Sequence, residues 1–310
     1  MTTPLVLVTG ATGTVGSEVV RQLIQGGHRV RALVRDLAKA SKFGDAVNAV
    51  EVVKGDLAKP ETLADAFAGV DRAFVLSPPT GPEFPELEGN AFNAAKNAGV
   101  KQIVKLSGGN FIVEDFFAGT PFAKWHGESE KRLRALGVAW TILRPAFFDS
   151  NLIEFGIVPR GGLFFPAGSG KDAPIDPRDI AAVAVKVLTT PGHDGKVYEL
   201  TGPELLSFAE VVQKVAAVTG KPLKFVDVPE AAWQQEMLSA GAPSPAVESL
   251  LAYFAGGVKT GQIRATSTVA ELLGRPARTT RPVGYGSHRS IAVAHGAEDT
   301  PARVAILQSG

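Results

Sequence analysis

Three glycines, Gly10, Gly13 and Gly16, stand three residues apart in the run Gly10-Ala11-Thr12-Gly13-Thr14-Val15-Gly16, directly after the apolar stretch Leu5–Val8. Glycine lets a backbone turn sharply and lets an anion approach main-chain N–H groups with no Cβ in the way. In a strand–turn–helix setting, Gly10 would turn the chain out of the strand and Gly13 would admit a pyrophosphate. Gly16 would let the helix pack closely on the strand. Val15, Val19, Val20, Leu23 and Ile24 recur at helical spacing after the turn. Thr12, Thr14 and Val15 therefore sit where a helix N-terminus directs free N–H groups and partial positive charge at a phosphate. The chemistry of this constellation is dinucleotide binding.

The end of the next apolar run selects the nucleotide. An acid about 20 residues past the glycines would accept the ribose hydroxyls of NAD. Here Leu33-Val34 is followed by Arg35, whose guanidinium suits a 2′-phosphate. Asp36 follows it, but Lys39 and Lys42 make the neighbourhood basic. The expected cofactor is NADP(H).

Elements that would position these residues alternate along the first two-thirds of the chain. Apolar β-type runs fall at 29–34, 49–53, 72–76, 102–106, 138–143 and 196–200, and helical stretches at 60–68, 87–98, 121–136 and 177–188. Strands apolar throughout and joined by helices predict an α/β fold, a doubly wound parallel sheet covered on both faces. Ligands bind such sheets at the carboxyl ends of the strands. That places Asp56 and Leu57 near adenine, Ser77 and Pro78 near ribose, and Ser107, Pro145 and Phe147 at the same edge. Beyond residue 145 the chain turns glycine-rich, then offers helices at 207–219, 230–240 and 245–255 and a short strand at 223–228. These segments predict a smaller C-terminal substrate lobe. The expectation is one NAD(P)-binding unit over 1–275, its core formed by 1–148 and 177–201 and its lobe by 149–176 and 202–275. Residues 276–310, arginine-bearing and without apolar period, are expected to form a disordered tail.

Composition narrows the function classes. The chain has 310 residues, 45% of them apolar, enough for a substantial core. A net charge of +1 predicts no attraction to nucleic acid or membrane. With no cysteine, disulfides, thiol nucleophiles and thiolate metal sites are excluded, and five histidines without a clustering pattern predict no metal site. The run from Met1 into the first strand leaves no room for a signal peptide, and no apolar run approaches a membrane span. A cytoplasmic location is expected, and a homodimer is left open.

The assembled motifs resemble the NmrA-like group of atypical short-chain dehydrogenases/reductases. The glycine turn, Leu33-Val34-Arg35, Gly55-Asp56, Leu106-Ser107, Trp140-Thr141-Ile142-Leu143-Arg144-Pro145, Arg178-Asp179-Ile180-Ala181 and Tyr198-Glu199-Leu200-Thr201-Gly202 carry the resemblance over about residues 4–275. It implies a Rossmann core binding NADP(H) and a small lobe. Members include quinone and triphenylmethane dye reductases, and also regulators that bind the nucleotide without turnover.

Ordinary members of the wider superfamily use Ser with Tyr-x-x-x-Lys, the tyrosine passing a proton to a carbonyl oxygen. On the resemblance, Ser107 keeps its place. The helix Pro121-Phe122-Ala123-Lys124-Trp125-His126 instead sets Phe122 at the tyrosine position and His126 at the lysine position. Ser107, Lys124 and His126 are the catalytic candidates. His126 would titrate near its ordinary ~6.5 and donate a proton, or simply pair with Glu130 one turn on. Lys124 would act as an acid or pair with Glu128. A quinone-like or other flat aromatic acceptor, which takes hydride without a strong acid, suits a site lacking tyrosine. A nucleotide sensor and a carbonyl or imine reductase using His126 are the alternatives.

Arg35 generates a direct test. NADPH should bind well ahead of NADH, and Arg35→Ala should erase most of the difference, about 1.5–3 kcal/mol for one charge-assisted phosphate contact, measured by titration of both nucleotides. Equal affinities in the unaltered protein would remove this role from Arg35.

Overall fold

The computed structural model describes residues 3–109, 119–155 and 157–280. In chain order its strands are β1 (Leu5–Val8), β2 (Arg29–Val34), β3 (Glu51–Lys54), β4 (Arg72–Val75), β5 (Gln102–Leu106), β6 (Ala139–Pro145), β7 (Gly162–Phe165), β8 (Lys171–Asp172), β9 (Lys196–Leu200), β10 (Leu206–Ser207) and β11 (Lys224–Asp227). The helices are α1 (Thr14–Gln25), α2 (Ala64–Phe67), α3 (Phe84–Asn97), α4 (Pro121–Arg134), α5 (Asn151–Glu154), α6 (Pro177–Thr189), α7 (Phe208–Thr219), α8 (Glu230–Ser239), α9 (Ser244–Leu251) and α10 (Thr268–Leu273).

Seven strands form one parallel sheet in the order β3-β2-β1-β4-β5-β6-β9, as the uninterrupted apolar runs predict. Helices α1 and α6 bury valines and isoleucine on one face, among them Val15, Val19, Ile180 and Val183. Helices α3 and α4 cover the other with Phe92, Ala95 and Leu133. Strand order reverses between β1 and β4, where a crevice opens at the carboxyl ends. Thr9 holds that edge: its hydroxyl donates to the Leu76 carbonyl at 2.7 Å and accepts from the Leu76 N–H at 2.9 Å.

A second core lies apart from the sheet. Leu163 and Phe165 of β7, Phe208 and Val212 of α7, Trp233 and Met237 of α8, and Phe254 pack together. The passage 149–176, read from sequence as loops, contributes β7 and β8. Strand β7 pairs in parallel with distant β11. Gly162 makes this possible, since a Cβ there would sit 1.9 Å from the Lys224 carbonyl oxygen. The glycines that suggested a loop thus permit a close strand approach. Two helix predictions also change. The stretch 60–68 is a 3₁₀ turn, Pro60–Thr62, followed by the single turn α2, and 245–255 becomes α9 plus a π-helical segment, Ala252–Val258.

Residues 276–280, assigned from sequence to a disordered tail, are held to the core. The Arg278 backbone N–H and guanidinium and the Arg275 guanidinium all bond to buried Asp179. Asp179 lies in the first turn of α6, whose cap is Asp176, accepting from the Arg178 N–H at 2.8 Å. Residues 281–310 lie outside the described residues. No described helix is long and apolar enough to cross a membrane.

The glycine turn has the expected geometry. Gly10 has φ +55°, and a Cβ on Gly16 would lie 2.1 Å from the Gly10 carbonyl oxygen. Gly16→Ala must therefore push α1 off the turn. Its expected cost is about 2 kcal/mol or more, at the upper end of overpacking effects, accompanied by weakened nucleotide binding. Thermal unfolding and nucleotide titration of the variant check both, and an unshifted Tm would show that the contact yields easily.

Candidate active site

At the crevice the strand ends enclose a cavity of about 300 Å³. The glycine turn lines it with Gly10, Gly13, Thr14 and Val15, and the other strand ends with Ser77, Pro78, Ser107, Pro145 and Phe147. Phe122 and His126 enter from α4, while Ala246, Ser249, Leu250 and Tyr253 enter from α9 and the π-helical segment. Gly13 is the N-cap of α1 and offers no side-chain bond to the first turn. The initial N–H groups of α1 are thus available to an anion, and a glycine loop beneath them fits a pyrophosphate.

Several sequence candidates lie elsewhere. Thr12 and Gly16 shape the turn without lining the cavity. Arg35 is exposed at the end of β2, and Lys42 from the neighbouring 3₁₀ segment donates to the Thr12 carbonyl at 3.2 Å, so basic side chains do flank the turn. Asp36 is engaged locally, accepting from the Ala38 N–H at 3.0 Å through Oδ1 as a cap. Asp56 likewise turns inward on its own loop, accepting from the Ala58 N–H at 3.0 Å, and the Leu57 carbonyl accepts from Asn90 at 2.8 Å. Both stand outside the cavity lining. Lys124 is exposed and also outside the lining, and Glu128 pairs forward with Arg132 at 3.0 Å. Lys124 is thus not among the residues that the structure brings to the cavity.

Ser107 and His126 do face the cavity, with altered chemistry. The Ser107 hydroxyl donates to Glu130 at 2.7 Å. Its proton is committed, and its remaining lone pair makes it an acceptor toward anything bound. Glu130 is also gripped by Arg144 through Nε at 2.9 Å and Nη2 at 2.6 Å, and by Arg134 at 3.1 Å. The anticipated His126–Glu130 pair is therefore replaced by a carboxylate tied to three other side chains. His126 is buried, packs edge-on against Phe84 with centroids 4.8 Å apart, and leaves Nδ1 without a hydrogen-bond partner. Burial first, and then the nearby Lys105 and Arg144 cations, push its pKa well below the usual histidine range. The imidazole is neutral at physiological pH, so the expected titration near 6.5 is displaced downward. It can offer an N–H bond, but not an imidazolium proton.

Beneath His126 lies an ion pair that the sequence did not announce. Lys105 of β5 meets Glu88 of α3 at 2.6 Å, both side chains fully buried. Ser129 of α4 donates to the same carboxylate at 2.5 Å, and the ammonium lies 5.2 Å from the centre of the Phe84 ring. Burial raises the Glu88 pKa, opposed chiefly by Lys105. On the far side, buried Asp172 has its pKa raised to about 6 by desolvation, with Tyr253 beside it. The signal for Lys105 was a lone charge inside an apolar strand; nothing local marked Glu88 or Tyr253.

With this geometry in place, comparison with known proteins is decisive. The NAD(P)H-binding family pattern matches residues 10–191. The chain belongs to that family. It is 38% identical over 277 residues to the NAD(P)H azoreductase of Xenophilus azovorans, covering 89% of this chain and 95% of that one. The NADPH complex of quinone oxidoreductase QOR2 from Escherichia coli superposes with a TM-score of 0.77 at 29% identity, over 89% of this chain and 96% of the other. The transcriptional regulator NmrA in complex with NADP shares the fold, with a TM-score of 0.71 at 18% identity over 90% and 94% of the two chains. The chain is an NAD(P)H-dependent oxidoreductase with the fold of NmrA, and its glycine turn and strand ends predict the nucleotide site.

The buried pair gives a prediction about stability. Glu88→Ala strands Lys105 in an apolar interior and should cost about 3–5 kcal/mol. The double replacement Glu88→Leu, Lys105→Met should lose far less. Denaturant unfolding of the two variants decides, and equal losses would show that packing volume, not the stranded charge, is what matters.

Proposed function

We propose that the protein is an NADPH-dependent reductase of flat, electron-poor aromatic acceptors, quinones first and azo compounds next. One observation carries this most directly: a small, mainly apolar cavity adjoins the nucleotide turn, and no side chain lining it among the described residues is charged. The bound nucleotide would supply hydride. The protein supplies position and dryness, which suit acceptors that need no strong acid at the moment of transfer. His126, neutral and unpartnered at Nδ1, would hydrogen-bond an acceptor oxygen or nitrogen rather than protonate it. Ser107, its proton held by Glu130, would accept a bond from the nucleotide side. Similarity to an azoreductase and a quinone oxidoreductase supports the same class of acceptor.

The alternative is a nucleotide sensor, favoured by the absence of the usual tyrosine and by the NmrA fold. Turnover separates the two. NADPH absorbance should fall when quinones, azo compounds or triphenylmethane dyes are added, and quinone turnover should show no inflection near pH 6.5 from His126. An enzyme that binds NADP(H) and consumes none with the whole panel is a sensor.

A further inference from the structure

Tyr253 belongs to the cavity wall and to no motif. It sits on the π-helical segment, is buried, and its ring lies 20° from parallel to Phe147 with centroids 5.8 Å apart. Phe147 is itself stacked on Phe155, 24° from parallel at 6.2 Å. Phe155, Phe147 and Tyr253 thus form a run of near-parallel rings. Phe147 and Tyr253 line the cavity and Phe155 does not, so the run ends at the cavity with Tyr253. The polar end of Tyr253 points elsewhere. Its hydroxyl lies toward buried Asp172, and burial first, then that carboxylate, push its pKa well above the usual tyrosine range. Asp172 is fixed in turn by accepting from the Ala173 N–H at 2.8 Å and by the pairing of β8 with β10. The ring is thus the part of Tyr253 that can meet a flat ligand.

We propose that Tyr253 is a specificity-determining residue of the site, the ring on which a flat acceptor stacks to extend the Phe155–Phe147–Tyr253 run. Offset stacking between aromatic faces favours planar, multi-ring ligands over small or bent ones. The inference rests on the reductase reading for its substrate, but the ring is tested by binding as well as by turnover.

Two measurements are made on the full chain and on Tyr253→Phe, Tyr253→Leu and Tyr253→Met. Steady-state kinetics use a two-ring and a one-ring quinone with NADPH. Calorimetry follows a non-reducible two-ring aromatic binding to the NADP⁺ complex. NADPH affinity within about twofold of the unaltered protein certifies each fold, and two aliphatic variants are made in case one fails. Tyr253→Phe, whose ring is kept, should leave KM for the two-ring quinone within about threefold. Either aliphatic variant should raise it about tenfold or more, with a smaller effect on the one-ring quinone and kcat within about threefold throughout. The non-reducible ligand should weaken in the same order. A kcat loss above about tenfold in Tyr253→Phe would make the hydroxyl a proton donor and overturn the proposal, as would unchanged KM and binding in the aliphatic variants. Should no quinone be turned over while binding still follows the ring, the reductase reading fails and the stacking wall stands.

Discussion

The carboxylate of Glu130, buried between α4 and β6, accepts two bonds from Arg144 and one from the hydroxyl of Ser107, and the floor of the cavity is placed with respect to that junction. Arg144 belongs to β6 and Ser107 follows β5, so one side chain fixes the separation of two strand ends and the rotation of the helix that carries His126. Burying a guanidinium and a carboxylate demands this density of bonds, because either charge left alone in a low dielectric is heavily penalised. The second pair, Glu88 with Lys105, joins α3 to β5 and reaches α4 through Ser129. Between them the two pairs join two helices and two strands into a single seat. They also set its electrostatic character, for both cations bear on His126.

That seat explains how the site departs from the usual Ser with Tyr-x-x-x-Lys arrangement without collapsing. Phe122 and His126 of α4 line the cavity, and the charged side chains lie further down the interior. The result is a cavity lined by neutral side chains, with the charged groups held beneath it. Its proton donors are consequently weak, and its selectivity comes from shape and apolar surface.

The nucleotide half of this design was legible because it is local. The turn, the strand before it, the helix after it and the strand ends follow one another in sequence, and each carries its own periodicity or glycine requirement. The other half is made by tertiary meetings. Glu88 lies on a helix whose exposed and buried faces both tolerate a glutamate in sequence, and only its approach to β5 reveals a pair with Lys105. Tyr253 falls in a π-helical segment that disturbs the ordinary helical period, so its place on the cavity wall has no sequence counterpart. Asp36 and Asp56 show the opposite failure. Each was a plausible ligand group from position, yet each spends its carboxylate on the backbone two residues ahead, a habit of aspartate in turns. Arg275 and Arg278 show it too, since charged residues in a low-complexity stretch gave no hint of a buried partner such as Asp179.

One tether joins the two cores at the cavity mouth: the Phe122 N–H at the start of α4 donates to the Ser249 hydroxyl of α9 at 3.2 Å, and that hydroxyl donates to the Pro245 carbonyl at 2.8 Å. The helix bearing His126 therefore begins on a group supplied by the element that walls the substrate side. Lineages that remodel α9 to admit a new acceptor will drag the first turn of α4 with them. Chimeras that exchange the lobe between relatives inherit a mismatched joint unless the opening residues of α4 travel with it. For any exchange of the lobe, that pair of helices is the piece that keeps the joint intact.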